Sequence, residues 1–247
     1  MNLSDRQKQY EKVSQTHLMR KIPVIIRLDG VAFHTFTRNF DKPVDDVLAS
    51  TMCATTRYLV ENIQGCIMGY TQSDEISLVL QDYRKIDTDA WFGYNVQKLV
   101  SVSANMATER FNRFFDKFAR DMDPAKYATV YHLAQLSNNP GFDSRCWNLP
   151  FDEVNNYMIF RQIDAERNSI NLLGQQYYSQ KELQGIKAKD LQNKIFTEHG
   201  VNWNNLPDYQ KRGYVYVPKK DPNTPITTPI FSKDPDFVNS RVYLRYE

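Results

Sequence analysis

Three cysteines occur in 247 residues, Cys53, Cys66 and Cys146. Their spacing excludes a Cys-x-x-Cys metal site and a disulfide framework. No run of about eighteen apolar residues is present, and the opening MNLSDRQKQYEKV has no apolar signal region, so no membrane span or leader is expected. A reduced, cytoplasmic setting is the corresponding expectation. Charge of one sign is also missing: 31 basic against 29 acidic residues leave a formal net charge of +2. A nucleic-acid partner would therefore have to be held by a local patch of Lys and Arg, not by a global field. Repeats and low-complexity tracts are absent. What remains is ordinary for a globular chain, 41% hydrophobic and 24% charged. Its length suits one large domain that buries roughly 70% of the unfolded chain's surface. Aromatics reach 13%; most are expected in the core, with a few exposed rings able to stack on bases.

Pattern along the chain predicts a charged helix over 4–19, capped by Ser4, and then a β-branched run Val24–Leu28 that ends at Asp29-Gly30. A helix is predicted over 45–62, followed by a hairpin of Cys66–Tyr70 and Ile76–Leu80 across the polar connection 71–75. A long helix follows over 90–118, then candidate strands at 129–134 and 145–149. Two further helices are expected at 152–176 and 189–199, the latter ended by Gly200. The order β-α-β-β-α-β is that of a split βαβ, ferredoxin- or RRM-like α+β fold: an antiparallel sheet with helices packed on one face. Residues 1–213 read as this domain with helical additions. Residues 214–247, rich in Pro, Thr and Tyr, read as a β or irregular extension with a possible closing strand at Val242–Leu244. Its Lys219, Lys220, Arg241 and Arg245 are candidates for holding RNA backbone.

Asp29 closes the first strand and the Asp74-Glu75 pair sits in the hairpin connection. In a split βαβ sheet the first strand lies beside the hairpin, so these acids can converge at one sheet edge. Hard cations such as Mg²⁺ are held by one or two carboxylates plus waters and substrate phosphates, and a pair of such ions can activate an attacking oxygen and stabilise a leaving one. Taken singly, an Asp before Gly and a Ser-Asp-Glu turn are also routine turn chemistry. Composition and spacing leave both readings open. Phosphate handling would draw on Gly30, which lets the backbone approach a phosphate. It would also draw on the amides of Val31, Ala32, Phe33 and His34, the His34 ring, and the cations Lys42 and Lys98.

At Arg27-Leu-Asp-Gly-Val-Ala-Phe-His34, Lys42-Pro43 and Gly69-Tyr-Thr-Gln-Ser-Asp-Glu75, the sequence resembles the tRNA-histidine guanylyltransferase family. More narrowly it is similar to the Thg1-like 3′-to-5′ polymerases of bacteria and archaea. The similarity continues through Phe142–Arg145, Arg161–Asp164, Leu183–Gly185 and Asn202–Pro207, and spans about 21–213. The resemblance implies a palm domain like that of ordinary polymerases, assembled as a homotetramer. It implies a catalytic set of Asp29, Asp74 and Glu75, with two Mg²⁺ ions on Asp29, Asp74 and the Gly30 carbonyl. Nucleotide or triphosphate contacts fall on Gly30, Val31, Ala32, Phe33, His34, Lys42, Asp45, Ser73 and Lys98. Contacts to tRNA fall on Arg27, Asn168, Lys187, Lys211 and Arg212.

The implied chemistry starts with activation of a 5′-monophosphorylated RNA end by ATP. The 3′-hydroxyl of an incoming nucleotide, GTP or another NTP, then attacks that end. Two departures bear on specificity. Where the eukaryotic enzymes carry His-Ile-Asn-Asn, this chain reads Glu166-Arg167-Asn168-Ser169, and a basic pair before Lys98 is replaced by Tyr94-Asn95. Both point to template-dependent repair of tRNA 5′ ends. The alternative within the family is guanylate addition beyond the normal end of tRNA-histidine. An RNA-binding module without catalysis and, further off, a nucleotide cyclase share the topology.

Overall fold

The computed structural model describes residues 1–85, 87–137, 140–218 and 227–243. The chain runs α1 (Leu3–Val13), β1 (Val24–Val31), α2 (Phe33–Phe36), α3 (Asp46–Asn62), β2 (Cys66–Gln72), β3 (Glu75–Leu80) and α4 (Val96–Met122). It continues through α5 (Pro124–Lys126), a π-helical turn (Tyr127–Tyr131), α6 (His132–Ser137), β4 (Gly141–Asn148) and α7 (Phe151–Gly174). The last elements are α8 (Gln180–Leu183), α9 (Ala188–His199), α10 (Asp208–Arg212), β5 (Tyr214–Tyr216) and α11 (Asp236–Val242).

The strands form one sheet in the order β4-β1-β3-β2-β5, with every neighbouring pair antiparallel. This is the expected α+β arrangement with one strand added at the edge. Side chains alternate between faces along a strand. Val24, Ile26 and Leu28 of β1 meet Ile76, Leu78 and Leu80 of β3 on one face, under α3 and α4, with Leu59, Phe111 and Phe115 in the same core. Helices cover the second face as well: Ile25, Met68 and Val79 pack with Val154 and Met158 of α7 and Val238 and Val242 of α11. Burial on both sides explains why β1 opens with the unbroken apolar Val24-Ile25-Ile26 instead of an alternating pattern.

Several boundaries differ from the sequence expectation. Helix α1 is capped by Asn2, whose side chain accepts from the Asp5 amide at 2.8 Å, and it ends at Val13. Residues after it pass the start of α4, where the Leu18 amide donates to the Tyr94 carbonyl, before the chain enters the sheet at Val24. The long helix begins at Val96, because Phe92 and Gly93 have positive φ and Asn95 caps the Lys98 amide. The strand expected at 129–134 is helical instead. Tyr131 is buried between Phe40 and Phe115, and its hydroxyl donates to Asp45 at 3.0 Å. That anchoring overrides the β preference of Thr129-Val130, and β4 occupies the place beside β1.

The described residues beyond Gly213 contribute to the core. Val215, Val217 and Phe231 lie in the second-face cluster, and Val242 belongs to α11, not to a closing strand. Val238 and Val242 are four residues apart, the helical spacing that puts both on one buried face. Arg241 lies over the Phe237 ring, while Lys219, Lys220, Leu244 and Arg245 fall outside the described residues. Among the described residues no helix is long and apolar enough to cross a membrane.

Candidate active site at the β1 and hairpin ends

Residues directly opposite in an antiparallel ladder point to the same face. Asp29 lies opposite Glu75 of β3 and opposite Asp143 of β4, so three carboxylates line up across one end of the second face. Asp74 joins them from the two-residue turn Ser73-Asp74, in which Ser73 adopts φ 51°. Two-residue hairpins of this hand require a positive φ at the first turn position. The Gly30 amide donates to the Asp74 carbonyl at 3.0 Å, which ties the β1 end to the turn and holds Asp29 near Asp74.

These acids have different partners. Glu75, 6% exposed, takes a bidentate fork from Arg161 of α7, Nε to Oε1 at 2.7 Å and Nη2 to Oε2 at 2.8 Å. Arg27 Nε lies 3.2 Å from Glu75 Oε2, and its Nη2 donates to Asp29 Oδ2 at 3.0 Å. Burial pushes the Glu75 carboxyl above its ordinary value, with Arg161 and Arg27 opposing. Burial pulls the Arg27 guanidinium down, but Glu75 and Asp29 outweigh it and the net shift is upward. Both Glu75 oxygens are thus committed to guanidinium groups. Asp143 pairs with Arg145 at 3.0 Å near the surface.

Among the described residues no cation is in hydrogen-bond contact with Asp74. Burial raises its pKa and the Asp29 charge adds to the rise, while a local backbone hydrogen bond and the Ser73 hydroxyl oppose it. A bound cation would relieve this strain. Among the described residues no group of three or more His, Cys, Asp and Glu side chains converges on a metal position. A cation here would be held by two carboxylates completed by backbone, water or substrate oxygens.

Beyond β1, Ala32 adopts the left-handed conformation and α2 starts at Phe33. The Phe33 ring is buried against Phe36, Phe111 and Phe142. A Cβ at Gly30 would overlap that ring, so close packing demands the glycine. The Phe33 ring is therefore a core group, and its contribution to a ligand is confined to backbone. The first amides of a helix have no partner within it; in α2 they belong to Phe33 and His34. Val31, Ala32 and His34 are exposed, and His34 Nε2 lies 3.0 Å from the Thr35 hydroxyl.

Ser73 also lines a cleft of about 180 Å³ between the start of α3 and the second half of α7. Lys42, Asp45 and Asn168 line the same cleft, which brings together four residues that the sequence scattered. Asp45 caps α3 by accepting from the Leu48 amide at 3.0 Å, and it also accepts from the Asp41 amide and Tyr131. Lys42 is exposed, and its carbonyl accepts from the Gln176 side chain.

Other candidates lie elsewhere or are already committed. Lys98 sits over the Phe92 ring in the first turn of α4. The part of α4 that touches the β1 end is Thr108, whose hydroxyl accepts from the Phe142 amide. Ten residues of helix put Lys98 about 15 Å further along the axis. Lys211 is 7% exposed and donates to the Asn204 carbonyl at 2.8 Å, and Arg212 pairs with Asp208 and Glu166. Neither presents a free charge to a phosphate. Lys187 is exposed at the start of α9. Arg161 and Ser169 join the site in the structure without having been singled out by sequence pattern. Arg161, Ala165, Asn168 and Leu172 recur at helical spacing, which was the available signal.

Comparison with known proteins identifies the family. The family model for Thg1, tRNAHis guanylyltransferase, matches residues 4–150, more than half of the chain. The Saccharomyces cerevisiae tRNA(His) guanylyltransferase is 27% identical over 228 residues, covering 85% of this chain and 89% of that protein. The uncharacterized protein R259 of Acanthamoeba polyphaga mimivirus is 28% identical over 229 residues, covering 86% and 76%. Among solved structures, a bacterial tRNA(His) guanylyltransferase (Thg1)-like protein in complex with ATP superposes with TM-score 0.87 and 42% identity over 98% of this chain and 100% of that one. A second bacterial Thg1-like structure, in complex with GTP, superposes with TM-score 0.79 at 38% identity, covering 98% and 99%. The chain belongs to the Thg1, or tRNA-histidine guanylyltransferase, family of nucleotidyltransferases.

Proposed function

We propose that this protein adds nucleotides to the 5′ end of tRNA in the 3′-to-5′ direction, directed by the opposing template base, and so repairs truncated 5′ ends. The observation that carries this reading is the convergence of Asp29 and Asp74 beside a cleft lined by Lys42, Asp45, Ser73 and Asn168. Two Mg²⁺ ions suit the donor set: Asp29, Asp74 and the Gly30 carbonyl are hard oxygen ligands, and Asp74 is destabilised as an anion until a cation arrives. When bound, such ions polarise phosphoryl oxygens and stabilise the charge that develops on attack.

The chain's own groups do the positioning. Lys42, His34 and the leading amides of α2 face the triphosphate of ATP during activation, when the 5′-phosphate of the RNA takes AMP and pyrophosphate leaves. The 3′-hydroxyl of the incoming nucleotide then attacks the activated phosphate, and AMP leaves. Arg27, bridged between Asp29 and Glu75, fixes the Asp29 carboxylate and does not serve as a free RNA contact. Glu75 acts as the anchor of that bridge.

Repair is favoured over tRNA-histidine-specific guanylate addition by the Glu166–Ser169 stretch. Glu166 pairs with Arg212 and Asn168 lines the cleft, which supports a role for the stretch in nucleotide binding over the reading of a histidine tRNA. Assembly as a homotetramer in the cytoplasm belongs to the same proposal; Phe160 and Ile163, exposed one turn apart on α7, supply an apolar surface for a neighbouring chain. The test is incubation with a tRNA lacking its first 5′ nucleotide, with Mg²⁺, ATP and each NTP. Watson–Crick-directed extension that is indifferent to the anticodon is expected. Extension independent of the opposing base would overturn the templated part, and dependence on the histidine anticodon would replace repair by guanylate addition.

A further inference from the structure

We infer that Asn168 and Ser169 read the base of the nucleoside triphosphate held in the cleft, and that their preferred edge is that of adenine; this rests on the nucleotidyltransferase reading above. Both residues line the cleft from α7. The polar groups around them are largely spent. Asp45 accepts three hydrogen bonds, and the Tyr209 hydroxyl donates to Asp46 at 3.0 Å.

Ser169 differs because its partner fixes the direction of its proton. The Trp203 indole Nε1 donates to Ser169 Oγ at 3.0 Å. An indole N–H is a donor only, so the serine hydrogen must point away from it. Helical serines commonly return that hydrogen to the carbonyl four residues back, yet among the described residues Ser169 donates to no acceptor. Its hydroxyl is left as a donor at the cleft wall.

Beside it, Asn168 forms no side-chain hydrogen bond among the described residues. Its amide offers one acceptor and two donors. An asparagine amide pairs in bidentate fashion with adenine N6 and N7, and a neighbouring hydroxyl donor then suits a further ring nitrogen. The facing wall supplies Phe40, Leu48 and Met52 for the flat faces of the base. Asn168 is on this account a nucleotide reader and not a tRNA contact.

The test is calorimetric titration of the full chain with ATP, GTP, purine riboside triphosphate and inorganic tripolyphosphate. Asn168→Ala is expected to weaken ATP about tenfold and Ser169→Ala roughly fivefold. Tripolyphosphate should bind all variants alike. Purine riboside triphosphate, which lacks the exocyclic amine, should be weaker than ATP in the wild type but equal to it in Asn168→Ala. Ser169→Thr keeps the hydroxyl and should restore ATP affinity, and a loss in Ser169→Ala that is confined to ATP and absent for tripolyphosphate separates base reading from a general disturbance of the cleft around Trp203. ATP affinity within twofold of wild type in both alanine variants would overturn the inference. So would equal losses for ATP and tripolyphosphate, or a larger loss for GTP. A wild-type protein that binds no nucleotide would instead overturn the functional reading beneath it.

Discussion

Replacing Arg161 by Met keeps much of the side-chain volume and removes both short hydrogen bonds to Glu75, at 2.7 and 2.8 Å. Breaking a buried pair by deleting one partner costs about 3–5 kcal/mol, because the other charge is left uncompensated. Arg27 still lies 3.2 Å from Glu75 Oε2, so the lower end, about 3 kcal/mol, is expected. The penalty should depend on pH, and its sign follows from burial. The folded Glu75 carboxyl lies above its unfolded value, so its contribution is most favourable below the unfolded pKa and is lost as pH rises through the folded one. Without Arg161 the folded value climbs further, and the variant should be weakened more at about pH 8 than at about pH 5. Urea denaturation of wild type and variant at both pH values measures this. A penalty under about 1 kcal/mol at the higher pH, or one equal at both, would refute a buried, uncompensated carboxylate.

Three further outcomes follow from the same geometry. Gly213 adopts φ 78° and a Cβ there would overlap the Thr71 carbonyl oxygen, so Gly213→Ala should cost more than about 2 kcal/mol and lower the melting temperature by several degrees; an unchanged melting temperature would refute it. Lys211→Met should destabilise by about 1–2 kcal/mol through the orphaned Asn204 carbonyl. The same variant should leave the salt dependence of tRNA binding unchanged, and a slope reduced by roughly one unit would show that Lys211 touches a phosphate. Because Asp74 is raised above the ordinary aspartate range, Mg²⁺ affinity should fall off at a higher pH than for a free aspartate, and raising Mg²⁺ should move the acid limb of activity downward. An acid limb insensitive to Mg²⁺ concentration would count against Asp74 as a ligand.

The parts of the fold legible in the sequence were those set by local pattern. Val24–Leu28 and Ile76–Leu80 announce buried strands, and Gly200 marks the end of α9, where it adopts φ 68°. Elements decided by distant contacts were less legible. Thr129–Ala134 carries β-branched residues, yet Tyr131 is fixed by Phe40, Phe115 and Asp45, all remote or separate in sequence. The second-face cover by α11 depends on Phe231 and on helices that no short window connects.

At the site, the convergence of Asp29 with Asp74 was readable, since a split βαβ order puts β1 beside the hairpin. The different roles of adjacent Asp74 and Glu75 were not. They separate because Asp74 stays in the turn while Glu75 enters β3 and faces Arg161, 86 positions away. Lys98, Lys211 and Arg212 show the converse limit. A basic residue at a motif position says nothing of which carbonyl, carboxylate or ring takes up its charge.

The proposed function requires that Asp29 and Asp74 together hold the catalytic cations. Its most direct test is electron paramagnetic titration of Mn²⁺ into the full chain with a non-hydrolysable ATP analogue, comparing wild type with Asp29→Asn and Asp74→Asn. Two-ion occupancy in the wild type, with each variant losing at least one ion, is the expected result. Unchanged stoichiometry and affinity in both variants would show that the two carboxylates do not hold the cations.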